Sequence, residues 1–372
     1  MSWRPALDGA LAARARARVA ALCDEIDRRE LPDGSLAIGH AGVALLHGHR
    51  ARAGEDDAAD RAFASLGRAL ELVGERPVPW LFYGYAGIAF VLSQLAEVVG
   101  EIDEPLAQLH ELIVQPLAAE RWEYEWELVF GAIGLGVYGL ERRDPAIVAR
   151  VVEHLGASAV RTADGISWTS RDEGDPTRYH NLGIAHGMAG AVAFLAAACA
   201  SPGAEELLRG AVTWLTSRAR LDHVPIYPMT IGAPPTWHSS ILDGWCYGDS
   251  STALALARAG DALDDAAIRA AGLELARKVA RRTDADLAPI KIDSSLCHGS
   301  ISQAVILHRL GCVYDAAELM AAARRWYERA ITEPVPDGMD AGLQTGLAGL
   351  AIGLVSGYAG ASPAWTSAFL LS

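Results

Sequence analysis

Two kinds of apolar segment alternate along the chain. The first kind is amphipathic. Leu7, Leu11, Val19, Leu22 and Ile26 fall on one helical face, and Arg14, Arg16 and Arg18 fall largely off it. The same period puts Phe63, Leu66, Leu70 and Val73 on one stripe, and Val148, Val151, Val152 and Leu155 on another. The second kind is apolar almost all round, so as a helix it must be buried on every side. Each of these segments opens on a Gly-x-x-Gly pattern. The first glycine recurs as Gly39, Gly84, Gly131, Gly187, Gly248, Gly299 and Gly346, at intervals of 45 to 61 residues. The second is Gly42, Gly87, Gly134, Gly190 and Gly349, with Ser251 and Ser302 in its place in two repeats. Self-similarity at this period marks a repeat architecture. Each repeat reads as a polar-faced outer helix followed by a glycine-opened inner helix. Seven such pairs closing into a ring would bury seven inner helices. The expected fold is therefore all-α, an α/α toroid in which residues 1–372 form one domain. The turn-rich stretches around residues 163–180 and 222–243 precede the fourth and fifth glycines and are expected to be long loops over one face.

Composition narrows the function classes. Hydrophobic residues make up 51% of the 372 and charged residues 21%, enough material for a large core. Net charge is −14 and the pI about 5.2. Phosphate binding needs a basic surface, so nucleic acid is set aside as a partner. An acidic surface could attract a basic peptide. Residues 1–5 show no apolar core of a signal peptide, and the cysteine count, five, is odd. Both point to a reducing, cytoplasmic setting without a disulfide framework. The apolar stretches from Gly183 to Gly203 and from Leu343 to Ala364 are rich in small residues and read as buried helices, not membrane spans.

The chemistry gathers just before the glycines. Immediately before them stand Ile38, Tyr83, Phe130, His186, Tyr247, His298 and Thr345; one residue earlier stand Ala37, Phe82, Val129, Ala185, Cys246, Cys297 and Gln344. In a closed ring these positions meet at the centre of one face. Cys246, Cys297 and His298 are then two thiolates and an imidazole, a set that suits Zn²⁺ with one position open for chemistry. The cysteines are 51 residues apart and neither belongs to a C-x-x-C pair, so only the fold can unite them. Helix N-termini favour thiolate over thiol. Cys23, Cys199 and Cys312 read as core residues. His180 reads as a hydrogen-bonding loop residue, His40 as structural or exposed, and His238 as a surface-loop residue after Pro234-Pro235-Thr236-Trp237. Glu123, Glu125 and Glu127 form a charge run in which Glu127 alone has a positional reason to act.

Three motifs carry a family resemblance: the run from Tyr179 through His186-Gly187 to Gly190, then Trp245-Cys246-Tyr247-Gly248, then Cys297-His298-Gly299. In this order and within the repeat, the chain resembles the lanthionine synthetase C family, the lanthipeptide cyclases, over nearly its whole length. The resemblance implies a sevenfold helical toroid and one zinc ion held by Cys246, Cys297 and His298. The implied substrate is a dehydrated precursor peptide, whose cysteine thiols add to dehydroalanine or dehydrobutyrine to form thioether rings. It also implies His186 as the acid that protonates the enolate, with Tyr247 assisting by hydrogen bonding and Glu127 as the carboxylate partner of a histidine. No dehydratase region is recognised, so a separate dehydratase partner is implied. Three positions depart from the family pattern. Glu127 stands where an Asp is usual, Leu242 where an Arg precedes the zinc cysteine, and Gln344 where an acid is common. They bear on catalytic efficiency and leave the zinc ligands untouched. Two other readings share the same ligands: a catalytically weakened zinc-binding relative serving as a peptide-binding scaffold, and a zinc enzyme that adds a small thiol to dehydroamino acids.

Overall fold

Seven helices, each capped by one of the seven glycines, stand side by side around a central axis. They are α2 (His40–Arg52), α4 (Tyr85–Val99), α6 (Ala132–Arg142), α8 (Met188–Ala197), α10 (Asp249–Ala262), α13 (Ser300–Val313) and α15 (Leu347–Tyr358). In this computed structural model, residues 3–100, 102–171, 177–233 and 240–372 are described. Neighbouring inner helices pack in chain order and α15 returns to α2, which closes the α/α toroid. The outer layer is α1 (Gly9–Ile26), α3 (Ala58–Glu71), α5 (Asp103–Leu117), α7 (Pro145–Ser158), α9 (Ala204–Thr216), α11 (Ala266–Ala280) and α14 (Ala317–Thr332), and a single turn, α12 (Asp284–Leu287), follows α11.

The pairing differs from the expected order. Most inner helices take the outer helix that follows them as their outer partner, α4 packs about equally on α3 and α5, and α1 completes the last pair by packing on α15. Connection length explains this. Residues 263–265 join α10 to α11 and residues 314–316 join α13 to α14, and such short links hold antiparallel neighbours together. The ring is sealed where the Ala6 and Leu7 N–H groups donate to the Gly357 carbonyl, both at 2.9 Å. Leu7 therefore lies ahead of the first helix and is buried there, not inside it.

The glycines are needed for close approach. A Cβ on Gly84 would stand 2.0 Å from the carbonyl oxygen of Val78, and one on Gly87 2.1 Å from that of Leu81. The chain leading into each inner helix folds back over the helix start and leaves no room for a side chain. Gly87→Ala, remote from the candidate site, is expected to cost on the order of 3 kcal/mol, the upper end of overpacking penalties, and urea unfolding would measure it. The outer helices bury one stripe each. On α7 this includes Val148, Val151, Val152 and Leu155, as expected. On α3 the stripe is instead Ala58, Ala62, Leu66 and Ala69, and Phe63 is 64% exposed. Alanines let α3 approach the ring closely, and that rotates the bulky Phe63 outward.

The turn-rich stretches contain short strands that the all-α expectation did not include. β1 (Val160–Thr162) pairs with β2 (Gly165–Ser167). β3 (Ser170–Arg171), β4 (Arg178–Asn181) and β5 (Thr230–Ile231) form a small antiparallel sheet, and β6 (Ile241–Leu242) lies parallel to β7 (Ile290–Lys291). Strands this short carry no readable alternation. Pro234, Pro235, Thr236, Trp237 and His238 lie outside the described residues. Among the described residues no helix is long and apolar enough to cross a membrane. Cys23 and Cys312 are buried as expected, whereas Cys199 is only half-buried. A 3-10 helix, Ala364–Phe369, fills the ring from within: Phe369 packs against Phe82 and Trp245, with centroids 5.2 and 4.8 Å away.

Candidate metal centre and active site

The seven segments that lead into the inner helices end at one face of the ring, with a regular division of burial. The residue two before each glycine is buried in all seven repeats, and the residue just before it is exposed at least in part in all seven. Cys246 and Cys297 occupy the buried position. His186, Tyr247 and His298 occupy the position at the mouth.

The fifth and sixth lead-ins are tied together at this point, because the Cys246 N–H donates to the Cys297 carbonyl at 2.9 Å. The ligand atoms of Cys246, Cys297 and His298 all lie within 4.8 Å of one another, and Cys246 Sγ is 3.9 Å from His298 Nδ1. A tetrahedral zinc, at about 2.3 Å from sulfur and 2.0 Å from nitrogen, needs ligands about 3.5–3.8 Å apart. The donor set and spacing fit that ion after a small contraction. His298 Nε2 donates to Asp293 at 3.0 Å, which fixes the ring and turns Nδ1 toward the cysteines.

The charges of the three residues are linked. A hydrogen bond from Cys246 lowers the Cys297 thiol to about 6, helped by His298 and opposed by burial. Burial pushes the Cys246 thiol up, and the neighbouring Cys297 adds to this. The pair thus favours negative charge on Cys297 over Cys246. Burial works against a charged His298, but Asp293 and Cys297 outweigh it and hold its pKa up at about 9. A divalent cation would relieve this crowding by taking both thiolates and a neutral imidazole.

Beside this centre His186 Nδ1 donates to the Glu127 carboxylate at 2.8 Å. Glu127 is 3% exposed and also accepts the N–H groups of Val129 and Phe130, at 2.8 and 2.6 Å. It is thus a fixed partner and no part of a solvated face. Burial disfavours charge on His186, yet Glu127 overrides it and raises the pKa. Phe130 stacks on the His186 ring at 5.8 Å. The Tyr247 hydroxyl accepts from Asn181 Nδ2 at 3.0 Å, and burial pushes its pKa up to about 12. Gln344 accepts from the Tyr83 hydroxyl at 2.8 Å.

The structure thus brings together His186, Glu127, Tyr247, Cys246, Cys297 and His298. His180 is engaged elsewhere, with its Nε2 3.1 Å from Ser167 Oγ and its ring tilted against Trp214 at 4.6 Å. His40 is half-buried, and Glu123 is exposed. Leu242 sits half-buried on β6, opposite Lys291 of β7. The neighbouring cation, Arg282, is buried and held between Asp243 and Asp249.

Two supporting residues were missed in the sequence, Asp293 and Asn181. Both lie six residues before a first glycine. There Asp33, Asn181, Asp293 and Asp340 each accept the N–H of the residue two further on, forming one repeated turn. In repeat six the second carboxylate oxygen holds His298. Asp or Asn at this spacing is the signal that could have found them.

The sequence pattern of the family described as lanthionine synthetase C-like protein matches residues 31–370. The chain belongs to the lanthionine synthetase C-like family. A solved structure of nisin cyclase is similar to this family member at TM-score 0.75 and 17% identity, covering 96% of this chain and 97% of that one, and shows the same fold. A sugar epimerase from a ruminal bacterium is matched at TM-score 0.45 and 9% identity, too loosely to bear on function. No curated protein matches at a significant level by sequence. Within this lanthionine synthetase C-like chain, the longer Glu127 side chain still reaches its histidine, whereas no cation stands at position 242.

Proposed function

We propose that this lanthionine synthetase C-like protein is a zinc-dependent cyclase that closes thioether rings in a dehydrated precursor peptide. The observation that carries the reading is the cluster of Cys246, Cys297 and His298 just inside the mouth, beside a histidine held by a buried carboxylate. When bound, zinc in this ligand set would lower the pKa of a substrate thiol in its open position and keep the sulfur nucleophilic. The sulfur adds to the β-carbon of dehydroalanine or dehydrobutyrine, and the π electrons move onto the α-carbon and carbonyl as an enolate. His186, kept protonated by Glu127, delivers its proton to the α-carbon and is reprotonated from water. Tyr247, kept neutral by burial, donates a hydrogen bond toward the developing enolate oxygen. Asp293 and Asn181 hold His298 and Tyr247 in place. A separate dehydratase would supply the substrate.

The pH dependence follows from the raised pKa of His186. A general acid works below its pKa, so the rate falls as pH rises through that value. Glu127→Gln removes the charge that raises it. The descending limb should then move to lower pH, with the largest loss at the alkaline end and zinc content unchanged; a pH–rate profile checks this.

Leu242 favours a second reading, a scaffold that binds zinc and peptide without accelerating closure. A synthetic peptide with one cysteine and one dehydroalanine separates the two. Zinc-dependent loss of the alkylatable thiol at unchanged mass supports the cyclase, and a rate equal to that without protein supports the scaffold. Addition of glutathione in place of ring closure would mark a small-thiol enzyme.

A further inference from the structure

The second and third lead-ins carry two groups of aromatic side chains, one at the mouth and one further out. At the mouth, Tyr83 stacks on Phe130 with centroids 5.3 Å and planes 15° apart, and Phe130 stacks in turn on His186. Further out on the same two lead-ins, Trp80 meets Trp122 at 6.5 Å and Tyr124 at 5.3 Å, edge to face. Trp122 and Tyr124 are themselves 5.3 Å apart, and Trp122 also touches His154 of the outer helix α7. These rings are not hidden. Tyr124 is 59% exposed and Phe130 41%, and Tyr83, Trp80 and Trp122 are half-buried. Exposed apolar side chains gathered on two adjoining lead-ins mark a place of contact.

The repeat shows that the aromatics are a local addition. Four residues before the glycine, where repeat two has Trp80, the other repeats have Ser35, Glu127, Gly183, Gly244, Ser295 and Gly342. None of those is aromatic, so the turn itself does not need a ring there. The charges beside the rings are acidic in balance: Glu120, Arg121 and Glu123 are exposed on the third lead-in, and Glu125 is half-buried.

We propose that this aromatic ladder is a track for the substrate peptide, which takes apolar and basic side chains flanking the reacting residues. The inference rests on the cyclase reading for the identity of the occupant. Ring faces accept aliphatic and aromatic side chains by contact and Lys or Arg by cation–π attraction. Glu120 and Glu123, on a chain of net charge −14, favour basic flanks and repel acidic ones. The track ends on His186, so the residue lying over Phe130 is a close neighbour of the residue being protonated.

Linear peptides with serine for the reacting cysteine and alanine for the dehydro residue cannot react and report binding alone. One would carry Leu and Arg flanks, the other Asp and Glu flanks, with affinity read by calorimetry and tryptophan fluorescence. The Leu/Arg peptide should bind wild type about tenfold more tightly than the acidic one. Trp80→Ala and Tyr124→Ala should each weaken it about five- to tenfold, the scale of one aromatic contact, and Tyr124→Phe should restore it. With a reactive peptide KM should rise in proportion while kcat and zinc content hold. Equal affinity for the acidic peptide, or unchanged affinity in both alanine variants, would overturn the track. A dimer lost in Tyr124→Ala would assign the rings to self-association and also overturn it. Expected binding without any ring closure would sink the cyclase reading and leave the track standing.

Discussion

Cys297→Ala is expected to remove zinc binding and ring closure together while leaving the toroid folded. The side chain supplies one of the two sulfurs of the cluster, and its loss leaves Cys246 and His298 to hold the ion alone. Changes to residues that merely orient metal ligands typically lower affinity about 10–100-fold, so removing a direct ligand should lower it further. The fold should tolerate the change, because the bond from Cys246 to Cys297 uses backbone atoms and survives it. Zinc that binds only the folded state also stabilises it, so the wild type should melt higher with zinc than without and the variant should not. Elemental analysis, thermal melts and the peptide-thiol assay would together check this. A variant that keeps its zinc and still closes rings would place the metal elsewhere.

His186→Asn is expected to lower kcat by about 10²–10⁴-fold, the usual share of a general acid, with zinc content and KM nearly unchanged. Asparagine can still hydrogen-bond Glu127 but cannot deliver a proton. The descending limb of the pH profile should vanish with the histidine. This pattern separates His186 from a structural role, which would move stability and zinc binding as well. A kcat within a few-fold of wild type would mean that another group, or water, protonates the enolate.

The ring was legible because the close approach at each helix start tolerates only glycine, and that demand recurs seven times. The candidate site was legible because repetition makes residues before the glycines equivalent, which joins Cys246 to Cys297 across 51 residues. Pair order was not legible, since periodicity names the buried face of a helix without naming its partner; connection lengths held that information. Phe63 misled because bulk was weighed above the smaller stripe of Ala62, Leu66 and Ala69. Asp293 and Asn181 were missed because each acts through a turn oxygen, and Asn181 also through a partner 66 residues away. The contact from Trp245 Nε1 to the Phe369 carbonyl at 2.8 Å, which braces the residue next to Cys246, spans 124 positions and has no sequence signature.

The most direct test of the central claim is zinc content and zinc-edge X-ray absorption on metal-replete wild type, Cys246→Ala and Cys297→Ala. The expected result is about one zinc per chain in the wild type, bound through two sulfurs and an imidazole nitrogen, and none in either variant. A folded wild type without zinc, or a zinc with no sulfur neighbours, would contradict the shared site and the chemistry built on it.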